Sequence, residues 1–361
     1  MENRKIRVLI VEDSLVGQKL LKGLVLSDER FELLAVAENG KQAYDYVMKF
    51  KPDIVSMDIQ MPVMDGVEAT RRIMQEIPVP VVIVSSFYNS SEVEMAMNVL
   101  EAGAVNIIPR PHGPGHPKFS SSSKSYLNTL KIMSEVKVVR RKKAAVVKRE
   151  EPRQEIIQSS FASVPPASPG PFQVLAIGAS AGGPEGIRTI LSCLPKSFPL
   201  PVLIVQHIDA NFAEGFCTWL NTFSNIPVHI GQDDQKIQPG NAYMPPGDHH
   251  LTVKSKNTLC VTRQPEQLIH RPSVNVLFKG IGEIFGPQVL AVLLSGMGKD
   301  GAAELKKLKD AGAVTLVQDE ASCLVFGMPG EAVKSGAAGK VLPPDKIAVE
   351  IINLLNIHPE L

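Results

Sequence analysis

Short runs of β-branched and apolar residues alternate with amphipathic stretches along this chain, twice over, a rhythm that restricts it to parallel βα architecture. Between Ile6 and about Ile108 the runs fall at residues 8–11, 33–37, 54–57, 81–84 and 104–108, each as continuous in apolar character as a strand buried on both faces must be. Five such strands predict a flavodoxin-like doubly wound unit. The rhythm then stops. Pro, Gly and His give way to Ser120 through Ser123, an expected helix over 125–139, a basic run, and Val164-Pro165-Pro166-Ala167-Ser168-Pro169-Gly170, which reads as linker. It resumes over residues 174–177 and continues at 202–205, 228–230, 289–294 and 314–316, with a hairpin-rich insertion around 240–263. This second block reads as another doubly wound, Rossmann-like parallel sheet. A chain of 361 residues exceeds one comfortable core, and ~100–200 residues per domain agrees with two. The expected boundaries are 1–112, a helix and linker at 113–170, and 171–361.

The bulk chemistry excludes more than it selects. The 38 basic and 37 acidic side chains nearly cancel, so no global field draws the chain to nucleic acid or a membrane surface. The run Lys137, Arg140, Arg141, Lys142, Lys143, Lys148 and Arg149 reads as solvated surface near a linker. No stretch approaches the ~18 apolar residues that spanning needs, and the charged start runs straight into a strand, so a cytoplasmic protein without membrane insertion is expected. Cys193, Cys217, Cys260 and Cys323 lie far apart without metal-ligand spacing and read as reduced core thiols. His249 and His250 are adjacent in an apparent strand, point to opposite faces and cannot share a zinc ion.

Functional groups in parallel α/β sheets collect where strands end. In the first block those ends carry Glu12 and Asp13 after the first strand and Asp58 after the third. Three carboxylates there need a cation, and hard oxygen ligands with room for water suit Mg²⁺ beside a carboxylate that attacks a phosphoryl donor. Ser85 ends the fourth strand with a hydroxyl, and Arg110 follows the fifth with a charge. The strings Val11-Glu12-Asp13-Ser14, Met57-Asp58-Ile59-Gln60-Met61-Pro62-Val63-Met64-Asp65-Gly66 and Gly103-Ala104 resemble a response-regulator receiver domain over about residues 4–112. The resemblance implies Asp58 as phosphoacceptor and Ser85 and Arg110 as the receiver's switch residues. It also implies Mg²⁺ ligated by Asp13, Asp58 and the Gln60 carbonyl, with Glu12 helping through water. Two positions depart from the family: Arg110 stands where Lys is usual and Ile107 where an aromatic switch residue is common.

In the second block, residues 174–177 lead into Gly178-Ala179-Ser180-Ala181-Gly182-Gly183-Pro184 and then a helical pattern. This G-x-S-x-G turn would present Ser180 beside free backbone N–H groups, yet a glycine-rich strand-to-helix turn equally suits a dinucleotide pyrophosphate. The next strand end tips the balance. It carries Gln206 and His207 where a dinucleotide site wants an acid, although Asp209 lies two residues on. His207 is placed for a general base, and Asp300, after a further strand, for the carboxylate that orients it. Asp300 could also be the N-cap of the helix that follows.

The order Ser, His, Asp differs from that of α/β-hydrolases. It resembles instead the chemotaxis protein-glutamate methylesterases, the CheB family. The strings carrying this are Ile177 through Gly183, Gln206-His207, Pro246-Gly247-Asp248-His249-His250-Leu251, His270-Arg271-Pro272-Ser273-Val274, Gly296-Met297-Gly298-Lys299-Asp300-Gly301 and Val325-Phe326-Gly327-Met328-Pro329. The resemblance implies Ser180 as nucleophile, His207 as base then acid, Asp300 as its orienter and the Met297 N–H as oxyanion donor. It implies methylated glutamates of chemoreceptors as substrate, a histidine kinase as phosphodonor, no cofactor for the esterase step, and leaves glutamine deamidation open. A catalytically idle response-regulator scaffold and a dinucleotide-dependent enzyme are the competing functions.

Overall fold

A computed structural model describes residues 4–85, 95, 98–136, 138, 172–265 and 270–357. The basic residues Lys137, Arg140, Arg141, Lys142, Lys143, Lys148 and Arg149, and Val164 through Gly170, lie outside the described residues. The first sheet has five parallel strands, β1 (Ile6–Val11), β2 (Phe31–Ala37), β3 (Ile54–Met57), β4 (Val81–Ser85) and β5 (Asn106–Pro109), in the order β2-β1-β3-β4-β5. This is the flavodoxin-like order, and the reversal beside β1 and β3 opens a crevice at their carboxyl ends. Helices Leu15–Leu26, Gly40–Phe50 and Gly66–Glu76 are capped by Ser14, Asn39 and Asp65, each accepting from a backbone N–H three residues on. Asp65 of the Met-Pro-Val-Met-Asp-Gly string is therefore a helix cap.

The expected helix at 125–139 starts earlier, as Phe119–Met133, and it is an element of the first domain, not a linker element. Tyr126, Leu130 and Met133 are buried, and the Tyr126 hydroxyl donates to Ser56 Oγ of β3 at 3.1 Å. A boundary at residue 112 would expose those three side chains, each worth ~1.5–3 kcal/mol of burial.

The second sheet has seven parallel strands ordered β14-β13-β12-β6-β7-β9-β8. They are β6 (Val174–Ala179), β7 (Val202–Gln206), β8 (Val228–Ile230), β9 (Ala242–Met244), β12 (Val289–Leu293), β13 (Val314–Gln318) and β14 (Lys340–Leu342). The hairpin of the insertion is β10 (His250–Ser255) with β11 (Thr258–Thr262). Ala242–Met244, expected within that insertion, instead pairs in parallel with β7 and β8. His249 precedes the strand in a turn, its Nδ1 at 2.8 Å from the Gly247 carbonyl, while His250 is fully buried. The cysteines divide: Cys217 and Cys323 are buried, Cys260 is half-buried and Cys193 is exposed, correcting the uniform core reading. No helix among the described residues is long and apolar enough to cross a membrane.

Candidate active site

Adjacent strands bring the second constellation together. Ala179 pairs with Gln206 across β6 and β7, so Ser180 and His207 leave neighbouring strands side by side, and His207 N–H donates to the Ala179 carbonyl at 2.9 Å. On the other flank of β6, Leu293 of β12 pairs with Gly178, and the loop beyond β12 carries Met297 and Asp300. The central strand thus holds Ser180, and its two neighbours supply the partners.

His207 Nε2 lies 2.8 Å from Asp300 Oδ2, and both side chains are about nine-tenths buried. That contact leaves Nδ1 as the ring nitrogen free for Ser180, and Nδ1 is buried without a partner among the described residues. Asp300 does not cap the helix that follows it, whose N-cap position is Gly301. It receives instead the first N–H groups of helix Val274–Phe285, from Val274 at 2.6 Å and Asn275 at 3.1 Å, and the Ser273 hydroxyl at 3.0 Å. Burial by itself would raise its pKa, but the His207 contact and these donors outweigh it and hold the carboxyl at about 2. Asp300 is an anion across the working pH range, as an orienter of imidazolium must be.

The turn carrying Ser180 is clamped by groups that no motif announces. Ser295, fully buried, accepts Ser180 N–H at its carbonyl (3.0 Å), donates its hydroxyl to the Ala181 carbonyl (2.8 Å) and accepts Val325 N–H at Oγ (2.9 Å). Gln318 Oε1 accepts Ser295 N–H at 2.8 Å. Gln206 Nε2 donates to the Ser180 carbonyl at 2.8 Å and the His207 carbonyl at 3.0 Å, tying the two residues together at the backbone. Gly182 has φ of +76°, and a Cβ there would stand 2.4 Å from Leu324 Cβ. Gly296 is equally constrained, since its Cβ would reach to 2.8 Å from Ser180 Cβ.

The Met297 N–H sits beyond this close approach. Gly296 N–H donates to Val325, and Gly296 O accepts from both Gly327 and Met328, so the string at 325–329 holds the backbone on which Met297 rides. No hydrogen bond among the described residues engages the Met297 N–H, and the residue lines a cavity of about 610 Å³ with Ser180 and His207. Such a donor next to the nucleophile can stabilise an oxyanion.

The acid that a dinucleotide site needs is already engaged. Asp209 Oδ1 accepts Asn211 N and Nδ2 at 3.1 and 3.0 Å, and Gln206 is spent on the backbone.

The first domain forms the opposite wall of the same cavity: Ile107 and Ile108 of β5, with Asn128, Thr129 and Ile132 of helix Phe119–Met133, face Ser180 across it. Ala181 shares an apolar cluster with Leu130 and Met133. Trp219 Nε1 donates to Glu101 Oε1 at 3.1 Å between the two domains.

At the carboxyl edge of the first sheet, carboxylate oxygens of Glu12, Asp13 and Asp58 lie within 4.8 Å of one another. Burial first, then Asp58, pushes Glu12 up to about 7, and burial likewise raises Asp58 against the pull of Arg110. Two buried carboxylates beside the exposed Asp13 fit a cation bound at the sheet edge, and hard oxygen donors with solvent at hand fit Mg²⁺. Arg110 Nη2 lies 2.8 Å from both Asp58 Oδ2 and Glu12 Oε2. Ser85 is buried beside it, its carbonyl accepting Arg110 N–H at 3.0 Å. Gln60 is exposed two residues past Asp58, on the loop that leaves β3.

A family model described as CheB methylesterase matches residues 175–351, and one described as response regulator receiver domain matches residues 8–117. A protein-glutamate methylesterase/protein-glutamine glutaminase of Geobacter metallireducens is 44% identical over 97% of this chain and 99% of its own length. One of Nitrosospira multiformis is 41% identical over 97% of each. Among solved structures, the Thermotoga maritima CheB methylesterase catalytic domain aligns at TM-score 0.49 and 34% identity, over 51% of this chain and 98% of that one.

Proposed function

The chain belongs to the CheB methylesterase family, receiver and esterase domains together, and on that premise we propose that it hydrolyses glutamate methyl esters on chemoreceptors under control of Asp58 phosphorylation. The observation that carries the chemistry is the 2.8 Å His207–Asp300 contact beside Ser180 at the ends of three adjoining strands. Ser180 Oγ attacks the ester carbonyl carbon while His207 Nδ1 takes its proton. The Met297 N–H receives the developing oxyanion, and Asp300 stabilises the imidazolium at Nε2. His207 then returns the proton to the departing methoxide, giving methanol. Water, activated by the same nitrogen, releases the glutamate carboxylate from Ser180. Glutamine deamidation, named for the relatives, would follow the same path with ammonia as leaving group.

Mg²⁺, when bound by Asp13, Asp58 and the Gln60 carbonyl with Glu12 behind, would offset charge as Asp58 accepts a phosphoryl group from a histidine kinase. Arg110, just past β5, and Ser85, at the end of β4, would meet that group, a reading supported by the Arg110 N–H bond to the Ser85 carbonyl. β5 and helix Phe119–Met133 cover the Ser180 cleft, so a substrate helix would need the domains to part. The same reading would have the reaction occur in the cytoplasm, where receptor helices and kinase would meet.

The test is methanol release from methylated receptor fragments, with and without a small phosphodonor and Mg²⁺. Ser180→Ala should abolish it and Asp58→Asn should abolish only the stimulation. Release that persists in Ser180→Ala removes the nucleophile assignment, and no release by the wild type would favour the idle scaffold.

A further inference from the structure

One neighbour of the base has no role in that scheme. The rings of His270 and His207 lie parallel, with centroids 4.4 Å apart and planes 13° from each other, and both line the cavity that holds Ser180. His207 is otherwise fixed at one edge only, by Nε2 at Asp300, with Nδ1 unpartnered among the described residues. A ring tied through a single nitrogen can still tilt about that contact, and a tilt swings Nδ1 away from its target. A second ring packed flat on its face removes this freedom. We propose that His270 is a positioning residue for the base, its ring stacked on His207 so that Nδ1 stays aimed at Ser180 and the imidazolium face stays covered. The proposal rests on the reading of Ser180 and His207 as nucleophile and base.

The charges around the pair agree with this role. Burial, and His207 beside it, lower the pKa of His270, so at neutral pH it presents an uncharged π face to the developing imidazolium. Asp300 lies at the far edge of His207. Arg271, next along the chain, is paired with Asp248 at 2.9 Å, and Asp209 is held by Asn211. Among the described residues, the wall supplied by the first domain brings no titratable side chain to the cavity, only groups such as Ser125, Asn128 and Thr129. Protonation of His270 would set a second cation against His207 and oppose proton uptake from Ser180.

The experiment compares full-length wild type, His270→Ala and His270→Phe in methanol release across pH, with ¹⁵N NMR titration of His207 in a Ser180→Ala background. His270→Ala should lower kcat roughly 10- to 100-fold with KM little changed. His270→Phe, which keeps a flat ring, should restore most of kcat and lose the part of the acid-side fall that His270 protonation contributes. In the NMR arm, His270→Ala should shift the His207 titration and His270→Phe should bring it back toward wild type. Wild-type kcat and an unshifted His207 in His270→Ala would overturn the proposal, as would equal damage in the Ala and Phe variants. If Ser180→Ala stayed active, the nucleophile assignment would fall while the His207 titration still judged His270.

Discussion

His207 Nε2 meets Asp300 Oδ2 at 2.8 Å, and the same Asp300 oxygen accepts the Val274 N–H that opens a helix. The proposed base is therefore held by a carboxylate that is itself fixed by a helix N-terminus, where negative charge is favoured. The arrangement uses the opposite ring nitrogen from the Ser-His-Asp template, in which the carboxylate holds Nδ1. Asp300→Asn keeps the shape and removes the charge. It should lower kcat roughly 10³- to 10⁴-fold with KM little changed in methanol-release assays. Retention of more than a tenth of wild-type kcat would remove Asp300 from the base's support.

Asp300 also links stability to pH. Its folded pKa of about 2 is depressed below the ordinary 3.8, so its contribution is present above about pH 4 and is lost as pH falls toward 2. The size is on the order of 2 kcal/mol. Urea unfolding between pH 5 and pH 2 should show a steeper loss of stability for the wild type than for Asp300→Asn, and equal slopes would contradict the assignment.

Trp219→Phe deletes the N–H that reaches Glu101 while keeping ring contact with Phe216 and Phe223. Removing one hydrogen bond from the interdomain seam should raise release without phosphodonor by up to roughly fivefold, the equivalent of ~1 kcal/mol, and leave the maximally stimulated rate unchanged. Unaltered basal release would mean this contact does not hold the domains together.

Arg110 is the cation seen between Glu12 and Asp58, with about a quarter of its side chain exposed. Arg110→Ala leaves both carboxylates uncompensated, a loss at the low end of the ~3–5 kcal/mol for breaking a buried pair. Thermal melting in the absence of Mg²⁺ should fall, and added Mg²⁺ should stabilise the variant more than the wild type because no guanidinium competes with it. Identical responses to Mg²⁺ would show that Arg110 and the metal do not share this pocket.

Gln206→Leu preserves bulk and removes both donors that join the Ser180 and His207 carbonyls. Urea unfolding should report a loss of ~1–3 kcal/mol, and kcat should fall more than KM rises. A variant with wild-type kcat would show that this tie is dispensable to the geometry of the pair.

Much of this was legible in one dimension. Asp58 and Ser180 each stand where an apolar run gives way to small or polar residues, and the runs at 54–57 and 228–230 coincide with β3 and β8. Ser295, Gln206 and Gln318 were not legible as clamps, since one polar residue at the end of an apolar run has no pattern of its own. The helix Phe119–Met133 was expected to begin only at residue 125 and to lie between the domains, because Ser120 through Ser123 mask its start, and only its buried face shows where it packs.

By itself the sequence determined most of the elements and the glycine turns at strand ends, because periodicity and turn chemistry are local properties of the chain, while short strands such as Ala242–Met244 and Lys340–Leu342 carry too little pattern to show. Which strands became neighbours was decided by tertiary structure. Asp300 could be a helix cap or an orienter until β12 was placed beside β6, and the first domain could be remote from Ser180 until β5 closed over it. Strand order comes from packing between residues far apart in the chain, where burial of whole faces selects among arrangements that local pattern leaves equivalent.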